Sequence, residues 1–177
     1  MGTISRMYDN YGDAAAVVRD LEAADVPHRD ISLVANEHAH GRDAVEAEGA
    51  EPTSRTGTGA GVGAAAGGVI GLLTGLGIMA IPGVGPLVAA GWLATMLAGA
   101  ATGAAAGGVV GALTGAGVHR DEAEVYEEGI RRGSTLVSVR GNDADIPRIE
   151  AILDRRPSRN WRERRDEYTA GGWAPTR

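Results

Sequence analysis

The sequence predicts an α/β fold with α+β character: a small three-stranded sheet covered by helices, ordered β-α-β and then α-β-α, interrupted by a long Gly/Ala-rich helical hairpin. Three observations predict it. From Thr56 to Val118 run 63 consecutive residues without Asp, Glu, Lys, Arg or His, and 19 of the 28 glycines lie there. The segments on either side alternate strand-like and helix-like patterns. The cluster Ile81-Pro82-Gly83-Val84-Gly85-Pro86 divides the uncharged stretch into two arms. Residues 1–55 and 119–155 are therefore expected to form one small α/β domain. Residues 56–118 are its inserted glycine-zipper hairpin, and 156–177 an Arg-rich polar tail.

Thr3 to Tyr8 is rich in strand-favouring residues and ends at the turn-like Asp9-Asn10. From Tyr11 to Ala24, Ala14, Val17, Val18 and Leu21 follow helical spacing, with Asp13 in the first turn, where the helix dipole favours an anion. Pro27 stops that helix, and Ile31 to Ala35 is the second strand. Asn36 to Arg55 is acidic, poor in large apolar residues and reads as an exposed linker. Its His38 and His40 read as solvated side chains, because no further ligand group stands nearby and structural zinc normally takes four.

Beyond the hairpin, Asp121 to Arg132 is a helix with Ala123, Val125, Tyr126 and Ile130 inward, acids at its start and Arg131-Arg132 at its end. Gly133 suits the C-cap. Thr135 to Arg140 is the clearest strand in the chain, and Asp143 or Asp145 can cap a last helix with Pro147 in its first turn. Ile146, Ile149, Ile152 and Leu153 line that helix. Neither flank alone carries enough strands to stand, so the two are expected to share one sheet. In that sheet the Leu136 strand is expected antiparallel to the Ile4 strand, with the Ile31 strand on the other side of Ile4.

Inside the uncharged stretch, Gly59, Gly63, Gly67, Gly71 and Gly75 recur every fourth residue, and so do Gly99, Gly103, Gly107, Gly111 and Gly115. Residues four apart share a helix face, where glycine lets a neighbouring backbone approach closely. The string Gly-Ala-Ala-Ala-Gly-Gly-Val at 63–69 recurs at 103–109. The turn is expected at Pro82, Gly83, Gly85 and Pro86. With its centre between Val84 and Gly85, facing residue numbers on two antiparallel helices sum to about 169. Gly71, Gly75, Gly111 and Gly115 then lack small partners inside the hairpin, so these surfaces are expected to bind neighbouring subunits.

Composition excludes several chemistries. There is no cysteine, hence no thiolate nucleophile and no Cys-ligated zinc. All 17 basic residues are Arg, so the lysine of a phosphate-binding P-loop is missing. Gly57-Thr58-Gly59-Ala60-Gly61 follows a polar segment instead of the apolar strand a dinucleotide turn requires. No serine sits in a Gly-x-Ser-x-Gly elbow. A net charge of −6 offers nucleic acid no attractive field. No enzyme activity, cofactor, metal or small-molecule substrate is expected. In the tail, Arg159, Arg162, Arg164 and Arg165 surround Trp161 and suit an anion such as a lipid head group, although Glu163, Asp166 and Glu167 partly cancel them.

The β-α-β start, the hairpin around Ile81 to Pro86, and the run from Glu122 through Tyr126, Gly129 and Gly133 into Leu136-Val137-Ser138-Val139 resemble the bacterial general-stress and low-temperature-induced proteins. The likeness covers about residues 3 to 155, and the Tyr, Gly, Leu-Val-x-Val segment is its most specific part. It implies stress association and supplies no catalytic residues.

The expected function is a structural, self-associating stress protein whose hairpin enters a membrane and drives homo-oligomerisation. The arms supply 26 and 32 uncharged residues against the ~20 a spanning helix needs. The first 21 residues hold no apolar signal region. The expected location is the cytoplasmic membrane with both termini cytoplasmic. The alternative is a soluble homo-oligomeric scaffold or binding module in the cytoplasm, with the hairpins buried against each other.

Overall fold

The computed structural model describes residues 2–36, 77–81, 84–102 and 108–175. The fold is mixed α/β, with a five-stranded antiparallel sheet between two layers of helices. Along the chain these are β1 (Gly2–Tyr8), α1 (Tyr11–Ala23), a 3-10 turn (His28–Asp30), β2 (Ile31–Asn36), β3 (Gly77–Ile81) and β4 (Gly85–Gly91). There follow α2 (Trp92–Thr102), α3 (Gly108–Gly115), α4 (Arg120–Arg131), β5 (Thr135–Gly141), α5 (Ile146–Leu153) and α6 (Trp161–Ala170).

The sheet order is β1-β5-β2-β4-β3, every neighbouring pair antiparallel. The β1–β5 pairing matches the sequence reading, with Ile4 opposite Val139 and Met7 opposite Leu136. The rest of the expected order is corrected. β5 lies between β1 and β2, with Leu33 opposite Val137, so β1 and β2 are the halves of a split β-α-β unit. β5 feeds both cores. Leu136 enters one core while Val137 and Val139 enter the other, following the two-residue period of a strand.

The three-stranded sheet is also corrected, because β3 and β4 extend it to five. The turn falls where the Pro/Gly cluster places it, but it joins strands: Ile81 pairs with Gly85 and Ala80 with Pro86. Glycines and prolines cost a helix interior about 1 and 3 kcal/mol each, whereas proline's fixed φ is tolerated beside a sheet edge. The open edge of β2 supplies the remaining incentive, pairing Ser32 with Gly91 through to Asn36 with Leu87. At Gly91 (φ 81°) the chain leaves β4 for α2 so close to Ile31 that a Cβ would strike its carbonyl oxygen.

One face of the sheet carries Ile4, Tyr8, Ile31, Leu33, Val137 and Val139 against α1 and α5. The other carries Met7, Val34, Leu87, Ala89 and Leu136 against Trp92, Leu93, Leu97, Val109, Leu113, Tyr126 and Ile130. β4, α2 and α3 of the uncharged stretch thus belong to the same core as the flanks. The two helices have no charged residue and take their N-terminal hydrogen bonds from neighbours. The Ser32 hydroxyl accepts from the Leu93 N–H at 3.3 Å, and the Glu127 carboxylate accepts from the Val110 N–H at 3.2 Å. The Thr3 hydroxyl donates to the Ala116 carbonyl at 2.8 Å.

In the flanks, Asn10 caps α1 by accepting from the Asp13 N–H at 2.7 Å. Gly133 follows α4 at φ 100°. Asp145 stands at the N-cap of α5, but its side chain makes no cap hydrogen bond and lies 3.7 Å from Arg148. The residues read as a tail form α6, capped by the Asn160 side chain.

Candidate functional site

The described zipper positions fall on α2 and α3. Val109, Ala112 and Leu113 of α3 enter the core; Gly108 and Gly111, one turn apart, are half-buried, and Gly115 is exposed. A Cβ built on Gly115 would meet only the flexible end of Met96, at 3.2 Å, and one on Gly99 would meet nothing within 4 Å. Gly59, Gly63, Gly67, Gly71, Gly75, Gly103 and Gly107 lie outside the described residues, as do Pro82, Gly83 and the 37–55 linker with His38 and His40. Gly85 and Pro86, expected in the turn, instead belong to β4.

The arginines after residue 155 do not form a free cationic patch. Arg159 bridges back to β1, its N–H donating to the Met7 carbonyl at 3.4 Å, and its guanidinium faces Asp9 (3.8 Å) and Glu167 (3.3 Å). Arg165 faces Asp121 at 3.5 Å. The Arg162 guanidinium lies 4.7 Å from the Trp161 ring centre, and the residue is exposed. Arg164 is buried against Asp9, with Glu167 at 3.7 Å. Of the carboxylates expected to dilute the patch, Glu167 holds it instead, and Asp9 and Asp121 join it from distant positions.

This docking leaves a cleft of about 340 Å³ lined by Asp9, Arg132, Ser134, Arg164, Glu167 and Tyr168. Three elements build it. α6 contributes Arg164, Glu167 and Tyr168 at helical spacing, the end of α4 contributes Arg132, and the β1–α1 turn contributes Asp9. Arg132 is oriented by its Nε donating to Glu128 at 2.7 Å, and its guanidinium lies over the Tyr168 ring at 4.4 Å. The Tyr168 hydroxyl packs beside Gly129 and Met7, and Trp173 meets the Tyr168 ring edge-on at 6.3 Å.

Two buried groups at this cleft have no hydrogen-bond partner: Nε of Arg164 and the Tyr168 hydroxyl. Of the cleft residues, sequence reasoning singled out Arg164 alone for a role. Asp9, Arg132 and Tyr168 carry no local signal, since what joins them is the return of residues 155–170 onto β1 and α4. Among the described residues no three His, Asp or Glu side chains gather as a metal site, and no helix is long and apolar enough to cross a membrane. Comparison of the chain with protein-family models, with curated proteins and with solved structures gives no match.

Proposed function

We propose that this chain is a structural, self-associating protein whose glycine-lined helix surfaces bind further copies of itself, with a stress-response role suggested by the family it resembles. One observation carries the reading. On α2 and α3 the large apolar residues enter the chain's own core, while Gly99, Gly111 and Gly115 sit away from its centre. No charge interrupts that surface along either helix. Small residues let a second backbone come close, and the 40-residue repeat of the glycine string supplies a second segment of the same kind.

The test is sedimentation of the full chain beside Gly99→Leu with Gly115→Leu. Neither new side chain meets a rigid obstacle within the subunit, so the variant is expected to keep its melting temperature within a few degrees while its assembly size falls. An unchanged size with an unchanged melting temperature removes the reading. The membrane-inserting alternative is favoured by the length of the charge-free stretch. It predicts that the chain sediments with membranes and needs detergent for extraction. Assembly through glycine faces alone gives the same particle with and without detergent.

A further inference from the structure

We propose that the cleft between α6, α4 and the β1–α1 turn binds a small oxyanion, a carboxylate or a phosphate, on the guanidinium of Arg164, with Asp9 as the resident group it displaces. Arg164 is only 7% exposed. A guanidinium carries five N–H donors and no acceptor, so burial obliges the surroundings to supply oxygens. They supply few. Nη2 meets Asp9, Nη1 is 3.7 Å from Glu167, beyond hydrogen-bond reach, and Nε has no partner.

The Tyr168 hydroxyl adds one more unpartnered buried group that can donate. Buried polar groups are nearly always satisfied, and an excess of donors in one place is what an acceptor-only ligand would satisfy. Arg132, anchored by Glu128, brings a second guanidinium to the same cleft.

The two partners of the Arg164–Asp9 pair differ in what they lose by parting. The Asp9 side chain is 56% exposed and regains water by swinging outward, whereas that of Arg164 is 8% exposed and is held by the helix it stands on. Exchange of one carboxylate for another oxyanion therefore keeps the buried charge paired throughout. The cleft is otherwise balanced, Arg132 and Arg164 against Asp9 and Glu167, so the wild-type chain binds weakly and Asp9 sets how weakly.

The experiment follows the Arg164 Nε–H resonance by proton–nitrogen NMR in the full chain. Inorganic phosphate and acetate are titrated separately, with ionic strength held constant to remove screening. A saturable shift is expected, and the probe that produces it identifies the preferred oxyanion. Asp9→Asn removes the competing charge and is expected to tighten binding about tenfold, the size of one charge-assisted hydrogen bond. Arg164→Lys, followed by the backbone amides of Gly133 and Ser134 at the cleft, keeps the charge but loses the planar fork, and is expected to weaken binding about tenfold. An Nε–H that fails to saturate with either probe in both the wild type and Asp9→Asn overturns the proposal. So does equal or weaker binding by Asp9→Asn, titrated at a temperature where its melting curve shows the variant folded.

Discussion

The two faces of the sheet are closed by helices of different kinds. On the first, α1 and α5 are amphipathic, with Val17, Val18, Leu21, Ile149 and Ile152 inward and Arg19, Asp20 and Arg148 at the outer side. On the second, α4 follows that rule, but α2 and α3 contain no charged residue. Their inside and outside differ in side-chain size: Trp92, Leu93, Leu97, Val109 and Leu113 face the core, while Ala98, Gly99 and Gly115 are exposed. A helix can thus be oriented by bulk alone. What it forgoes is a polar outer face, which is the ordinary protection against association. It also forgoes local caps, and Ser32 and Glu127 supply those from outside.

The strongest way to break this comparison is to empty matched positions on the two faces. Leu21 on α1 and Leu113 on α3 are both fully buried. If α3 is as integral to the domain as α1, Leu21→Ala and Leu113→Ala each lower unfolding free energy by about 3 kcal/mol, measured by urea denaturation. A loss confined to Leu21→Ala would make α3 a dispensable attachment.

A smaller effect sharpens the comparison, because each face holds a buried tyrosine whose pKa is raised. The Tyr8 hydroxyl donates to the Leu153 carbonyl at 2.7 Å, and that of Tyr126 lies 2.6 Å from Glu122 and 3.0 Å from the Ser5 carbonyl. Burial raises the pKa of both above 10, the neighbouring Glu122 carboxylate pushing Tyr126 further and Arg6 partly offsetting the rise at Tyr8. Unfolded tyrosines titrate near 10. Above that pH the folded chain therefore holds more protons than the unfolded one, and stability falls as pH rises. The stability is fully present below pH ~10, and each tyrosine contributes a slope of about 1.4 kcal/mol per pH unit above it. Tyr8→Phe and Tyr126→Phe should each flatten the alkaline limb in denaturant titrations at successive pH values. Equal flattening would place the two faces in one cooperative unit.

The smallest effect is expected at the outer side of the second face. Arg165 and Asp121 are exposed and 3.5 Å apart. Arg165→Ala should cost less than about 1 kcal/mol, by the same denaturation measurement, and that cost should shrink further in high salt. A larger loss would mean that α6 docks through this pair and not through Tyr168.

The flanking elements were legible from local pattern. Helix α1, strand β5 and helix α5 lie where apolar spacing, Asn10, Gly133 and Pro147 put them, because amphipathic periods and caps are written within a few residues. That the chain reverses between Ile81 and Gly85 was legible for the same reason. What the arms beside it would become was not. Glycine, alanine and a few β-branched residues have weak preferences, and with no charge there is no polar face from which to read a period. The unpaired edge of β2 decided that Gly85–Gly91 is a strand, and Gly77–Ile81 pairs with it in turn. Sheet order likewise depends on which faces must be buried together, and β2, buried at every residue, took the centre of the five strands. Arg164 was visible as one charge among many. Only the return of α6 onto β1 buried it against Asp9, 155 positions away, since a charge's partner and its desolvation are properties of the folded surroundings.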